Sequence, residues 1–87
     1  MSEDKAGKLT ITIRTKTKEL LKTEGRSVSA TNDIGPFDIL PDHANFVAIV
    51  NGEMQIVGNS GNKTKITYIR SLMRVAANVV DVIVLDE

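Results

Sequence analysis

The chain has 87 residues, which predicts one domain with a thin core, because a domain of this size buries only about 60–65% of its unfolded surface. It contains no cysteine, which excludes disulfides and zinc sites built on thiolates. Its 11 basic residues balance its 11 acidic residues, and no basic stripe predicts nucleic-acid binding.

The chain begins with a polar stretch, residues 1–8, that lacks the apolar core of a signal peptide. We expect a disordered tail there and a single domain over residues 9–87. No apolar run approaches the ~20 residues of a membrane helix, so we expect a soluble protein. Residues 27–62 carry four acidic residues and no Lys or Arg, so this segment either contacts basic partner residues or stays solvated.

The first predicted strand is LTITIR, in which a leucine and two isoleucines alternate with polar residues. After a polar connection, LLKTE predicts a short second strand, with a helix over TKTKELLKTEGR as the alternative. Leu20 and Leu21 would give that helix only a narrow apolar stripe, and its three threonines disfavour it. Beyond Gly25, the stretch RSVSAT predicts a third strand.

The stretch NDIGPFDILPDH is a long irregular segment rich in turn formers. Proline cannot donate to a sheet ladder, which places Pro41 in a turn or at an edge. The apolar residues of the segment are too hydrophobic to lie free in solvent, so the loop should fold back onto the domain. The predicted loop anchors are Phe37, Ile39, Leu40 and Pro41.

The second half of the chain also alternates with period two. NFVAIV predicts a strand, and Asn51-Gly52 predicts a two-residue type I′ hairpin turn from which EMQIVG returns antiparallel. NSGN predicts another turn, KTKITYIR another strand, and SLMRVAA an ambiguous segment that suits a bent strand. The final stretch, NVVDVIVLDE, is apolar on both faces and therefore needs cover on both, or a partner on one.

This spacing of short strands and turns predicts an all-β fold, an antiparallel β-sandwich or barrel of seven to nine strands.

The lone histidine, His43, lies near three aspartates, which raises the question of a reactive cluster: Asp33, Asp38 and Asp42. One imidazole is too few for a typical zinc site, and the ligand spacing of a calcium loop is absent. No serine lies in a nucleophile-elbow sequence, and GNSGNKTK departs from the phosphate-loop spacing. We therefore predict no catalytic residue, no metal and no cofactor, with a metal-dependent or hydrolytic enzyme using these four residues as the disfavoured alternative.

The stretch RSVSATNDIGPFDILPDHANF resembles the signature region of the epsilon subunit of rotary F-type ATP synthases, called delta in mitochondria. The matching positions are Gly35 in the turn and then Ile39, Leu40, Pro41, His43 and Ala44. VNGEMQI and SLMRVAANVVDVIVLDE resemble later segments of the same family in the same order. The resemblance extends from about Leu9 to Asp86.

The resemblance implies a ten-stranded β-sandwich and a noncatalytic rotor subunit that couples the c-ring to the gamma shaft during ATP synthesis. It implies c-ring contacts by Ile34, Gly35 and Pro36. It implies gamma-subunit contacts by His43, Ala44 and Ala48. The protein would then be cytoplasmic and peripheral to the inner (plasma) membrane through the synthase complex, without contacting nucleic acid.

Several positions depart from the family pattern. Asp38 and Asp42 stand where the family has glycines, and Asp tolerates φ > 0 better than most residues. Arg70 and Ser71 replace a glycine pair, and we expect the C-terminal helical hairpin of the family to be missing. The alternative to a rotor subunit is a free-standing β-sandwich that serves as a protein-interaction module.

Overall fold

A computed structural model describes residues 7–85, except for the side chain of Ile69. Most of the predicted disordered tail, residues 1–6, lies outside the described residues. The seven strands are β1 (Leu9–Arg14), β2 (Glu19–Gly25), β3 (Ser27–Thr31), β4 (Pro36–Ile39), β5 (Phe46–Val57), β6 (Lys63–Ala76) and β7 (Val79–Val84). The all-β prediction is confirmed, and the helical alternative for TKTKELLKTEGR is wrong because β2 occupies that stretch.

The strands form one sheet in the order β2-β1-β7-β6-β5-β3-β4. All neighbours are antiparallel except β1 and β7, which pair in parallel. Within residues 7–85 there is no helix with the length and apolarity needed to cross a membrane.

The long β5–β6 ribbon belongs to both halves of the sheet. Residues 46–51 of β5 pair with residues 70–75 of β6, the part of β6 that also pairs with β7. Residues 52–57 pair with residues 63–68, and this part of β5 also pairs with β3. Buried side chains from both halves form one cluster, so the halves pack face to face as the layers of a sandwich. The described residues form seven strands rather than the ten that the resemblance implies, partly because β5 and β6 each span two of the shorter predicted strands.

The predicted hairpin turn at Asn51-Gly52 is wrong. The two residues lie inside β5, where the register to β6 shifts by one residue. Gly52 has φ +77°, so the dipeptide does mark a backbone position that needs positive φ, but that position serves a bulge rather than a chain reversal. The observed β6–β7 reversal is at Ala77 and Asn78, with φ of 50° and 63°, the signs of a type I′ turn.

The core is built mainly from alternating residues of β1, β5, β6 and β7. Its fully buried side chains include Leu9, Ile11, Ile13, Val50, Met54, Met73, Val75, Val80, Val82 and Val84. β7 lies between β1 and β6, and one of its faces is entirely buried in the core cluster. On its other face Asp81 pairs with Arg14 at 2.9 Å.

Gly25 lies where β2 passes directly into β3. The N–H of the next residue, Arg26, donates to the carbonyl oxygen of Val57 at 2.8 Å. A Cβ on Gly25 would lie 2.7 Å from that same oxygen, closer than real Cβ atoms approach. A glycine is therefore required for the chain to cross from the β1 side of the sheet to the β5 side.

Candidate functional site

The turn between β3 and β4, called here the first turn, consists of Asn32–Gly35. The Asn32 Oδ1 atom accepts hydrogen bonds from the N–H groups of Ile34 (2.9 Å) and Gly35 (3.1 Å). Asn51 Nδ2, in β5 at the register shift, donates to Asp33 Oδ1 at 3.0 Å. The turn is thus held by its own asparagine and by a second asparagine 18 residues away.

The first turn presents an apolar side chain to solvent. Ile34 is 95% exposed, and Pro36, which begins β4, is also exposed. An isoleucine this open gains nothing from the fold around it, whereas a partner surface covering it would remove apolar area from water. The structure places the predicted c-ring contacts next to one another, at the end of the first turn and the start of β4; the contact itself stays a prediction.

β4 follows the alternation of a half-buried strand. Ile39 is fully buried, and Phe37 packs on the core with its ring centroid 5.3 Å from that of Phe46. Leu40, the next residue along, is 55% exposed. The prediction that Leu40 anchors the loop is wrong, because Ile39 points inward and its neighbour therefore points outward. Pro41 is half-buried.

The turn after β4, called here the second turn, consists of residues 40–43 and is closed by His43 N–H donating to the Leu40 carbonyl oxygen at 3.1 Å. Asp42 has φ 68°, and its N–H donates to Asn78 Oδ1 at 2.6 Å. Asn78 Nδ2 donates back to Asp42 Oδ1 at 3.3 Å. The left-handed φ of Asp42 is a conformation that favours glycine and that Asp adopts more readily than most residues.

The imidazole of His43 lies on the surface of the second turn. Its ring meets the Phe46 ring edge-on, with centroids 5.7 Å apart. Its Nδ1 atom lies 2.7 Å from the Ala44 carbonyl oxygen, and because a carbonyl only accepts, Nδ1 is the protonated nitrogen of this bond. His43 and Ala44 are both exposed and thus open to a partner.

The third predicted gamma contact, Ala48, is half-buried on the face of β5 that also carries buried Val50. Val47, beside it, is 63% exposed and shares the outer face with half-buried Ile49. Sequence reasoning missed Val47 as an open apolar residue, although the alternation of NFVAIV contains the signal. In the sheet Ile49 pairs with Leu72, which pairs with Ile83, so an apolar row continues across the outer face.

The aspartates near His43 do not converge. Asp33 accepts from Asn51, Asp42 exchanges hydrogen bonds with Asn78, and Asp38 accepts from the Ser29 hydroxyl at 2.7 Å. Asp38 faces Ser29 across the β3–β4 pair, which gives this residue a role in strand pairing. Among residues 7–85, no group of three or more His, Asp or Glu side chains is placed to hold a metal ion. Each carboxylate instead shapes a turn or a strand pair.

Comparison with known proteins gives a family and a fold. The family model described as ATP synthase, Delta/Epsilon chain, beta-sandwich domain matches residues 8–86. No curated protein sequence matches the chain.

Solved structures with similar chains include two from mitochondrial ATP synthases. One, from the Euglena gracilis mitochondrial ATP synthase (OSCP/F1/c-ring, rotational state 1), is 16% identical with a TM-score of 0.83, over 92% of this chain and 52% of that one. The other, from the central stalk/c-ring of the Tetrahymena thermophila mitochondrial ATP synthase, is 19% identical with a TM-score of 0.70, over 90% and 63%. The chain thus spans less than two thirds of the length of either, and at these identities the likeness shows the fold.

Proposed function

The chain belongs to the ATP synthase delta/epsilon β-sandwich family, and from this we propose that it is a noncatalytic subunit of the central stalk of an F-type ATP synthase. In this role it couples rotation of the c-ring to the gamma shaft during ATP synthesis. The family match over residues 8–86 supports this role. The structural observation that carries it is Ile34, 95% exposed on a turn held by five hydrogen bonds.

The first turn is the proposed contact with the c-ring. Ile34 supplies apolar area. Gly35 has no side chain to obstruct a partner, and Pro36 has a fixed φ where the turn enters β4. A rotor contact must transmit torque. A turn held by backbone and side-chain hydrogen bonds deforms less under load, and loses less conformational freedom on contact, than a flexible loop. None of residues 32–35 belongs to the buried core that stabilises the fold.

The second turn is the proposed contact with the gamma subunit. His43 and Ala44 are its exposed residues, and Val47 and Ala48 continue the surface along β5. The surface combines an imidazole, which can donate or accept a hydrogen bond, with small and apolar neighbours. In this proposal the protein lies at the cytoplasmic side of the membrane because it binds the synthase complex, and it does not insert into the membrane itself.

Copurification with the gamma subunit and c-ring of the same organism tests the proposal. The wild type should retain both partners at micromolar concentration, Ile34→Asp should lose the c-ring, and Ala44→Glu should lose gamma. Leu20→Asp is the matched control, since Leu20 is 41% exposed on β2, at the opposite end of the strand order from β4. Failure of the wild type to retain either partner would contradict a rotor role and favour the free-standing interaction module.

A further inference from the structure

The second turn is tied to a distant part of the chain by one asparagine. Asn78 lies in the β6–β7 turn, 36 residues from Asp42, and the two residues exchange hydrogen bonds of 2.6 and 3.3 Å. We infer that Asn78 is a positioning residue, which fixes the second turn and so determines where His43 and Ala44 are presented to a partner. This inference rests on the proposed function for the identity of the partner.

The segment between β4 and β5, residues 40–45, has little else to hold it. Leu40 is 55% exposed, Pro41 is half-buried and residues 42–45 are all exposed, so the edge contact of the His43 ring with Phe46 is accompanied by no fully buried apolar side chain of this segment. Within residues 7–85, two side-chain hydrogen bonds join this segment to another part of the sheet, and both are made with Asn78. The bond of the His43 ring to Ala44 lies inside the segment. A polar tether therefore replaces the apolar anchor that the sequence predicts at Leu40.

The geometry of the tether depends on left-handed backbone at both ends. Asp42 has φ 68° and Asn78 has φ 63°, and Asp and Asn are the side chains that adopt this conformation most readily. At Asn78 the conformation also belongs to the two-residue hairpin turn. The hairpin thus orients the Asn78 amide, and the amide in turn holds the N–H of Asp42.

Asn78→Gly separates the tether from the hairpin, because glycine keeps the positive φ and removes both hydrogen bonds. Asp42→Gly removes only the 3.3 Å bond and leaves the 2.6 Å bond from its own N–H. Asn59→Gly is the matched control, an exposed turn asparagine in the β5–β6 connection. The readouts, on the full-length protein, are amide hydrogen exchange by residue and affinity for the isolated gamma subunit.

In Asn78→Gly we expect the amides of Asp42 and His43 to exchange about five- to tenfold faster, since a typical hydrogen bond is lost, while the amides of β6 and β7 keep their protection. Gamma affinity should fall in parallel, Asp42→Gly should lie between this variant and the wild type, and Asn59→Gly should match the wild type. Unchanged exchange at Asp42 in Asn78→Gly would overturn the inference. Faster exchange with unchanged gamma affinity would overturn it as well, because the tether would then serve only the fold.

Wild-type protein that does not bind gamma would defeat the proposed function separately, with the exchange data still deciding whether Asn78 holds the turn.

Discussion

The two turns on either side of β4 are held in different ways. In the first turn, Asn32 bonds to N–H groups two and three residues ahead of it, and Gly35 supplies a φ of +146°. In the second turn, Asp42 depends on Asn78, 36 residues away. A turn made mostly from its own residues keeps its shape wherever the strands place it, whereas a remotely tied turn holds its shape only when the whole sheet is assembled.

This difference matters for the proposed roles. The self-held first turn extends Ile34 outward from the domain, and the remotely tied second turn lies against β6–β7 and the Phe46 ring. A loss of sheet packing should therefore disturb the second turn before the first.

The largest expected effect on stability is at Ile39, the buried residue of β4, and it contrasts with a small effect at its exposed neighbour Leu40. Ile39→Ala should lower the free energy of unfolding by about 2–5 kcal/mol, because Ile39 is fully buried and its loss leaves a cavity. Leu40→Ala should change it by less than about 0.5 kcal/mol, because Leu40 is 55% exposed. Urea denaturation of both variants measures this contrast. Equal losses would mean that Leu40 is packed after all and that the second turn has an apolar anchor.

Replacing the glycine of the first turn should have the next largest effect. Gly35→Ala should cost roughly 1–3 kcal/mol, since a side chain at this φ is strained. A Cβ there meets nothing within 4 Å, so the cost is conformational and comes without a steric clash. Thermal unfolding measures the cost, and amide exchange at Ile34 shows whether the turn itself loosens. A neutral Gly35→Ala would show that the first turn adapts, which contradicts its description as self-held.

Two substitutions at one residue test the backbone of the second turn. Asp42→Ala should be less stable than Asp42→Gly by about 1 kcal/mol, because both lose the carboxylate and only alanine strains a φ of 68°. Chemical denaturation of the pair gives the difference directly. If the alanine variant proved as stable as the glycine variant, the left-handed conformation of the turn would be in error.

The smallest effect concerns the hairpin that carries the tether. Ala77 has φ 50°, so Ala77→Gly should relieve strain and raise stability by about 0.5 kcal/mol, once the entropy of glycine is subtracted. Exchange at Asp42 should stay unchanged, because Asn78 keeps its side chain. A destabilised Ala77→Gly would show that this hairpin does not adopt the conformation described here.

Local patterns in the sequence account for much of the fold. Period-two alternation predicts β1 with its buried face and the position of β7, and the turn chemistry of NDIG and NSGN indicates real turns. The same alternation would have placed Leu40 and Val47 outward. The hydrophobicity of these two residues predicts burial, but the direction of a side chain on a strand follows from the alternation.

Other features depend on which strands become neighbours, and no local pattern contains that information. The parallel pairing of β1 with β7 is one such feature. Asn51-Gly52 has the composition of a turn, yet it lies inside β5 and pairs with β6 across a register shift. The tether from Asn78 to Asp42 and the bond from Asn51 to Asp33 join residues that are far apart in sequence. The partners of both turns could therefore be found only once the sheet was assembled.

The central claim, a rotor subunit whose two turns meet two different partners, is tested most directly by site-specific crosslinking in the assembled synthase. The chain has no cysteine, so Ile34→Cys, His43→Cys and the control Leu20→Cys each introduce a single thiol. We expect Ile34→Cys to crosslink to the c-ring, His43→Cys to crosslink to gamma, and Leu20→Cys to crosslink to neither. A synthase in which Ile34→Cys and His43→Cys yield no crosslink to either subunit would contradict the account.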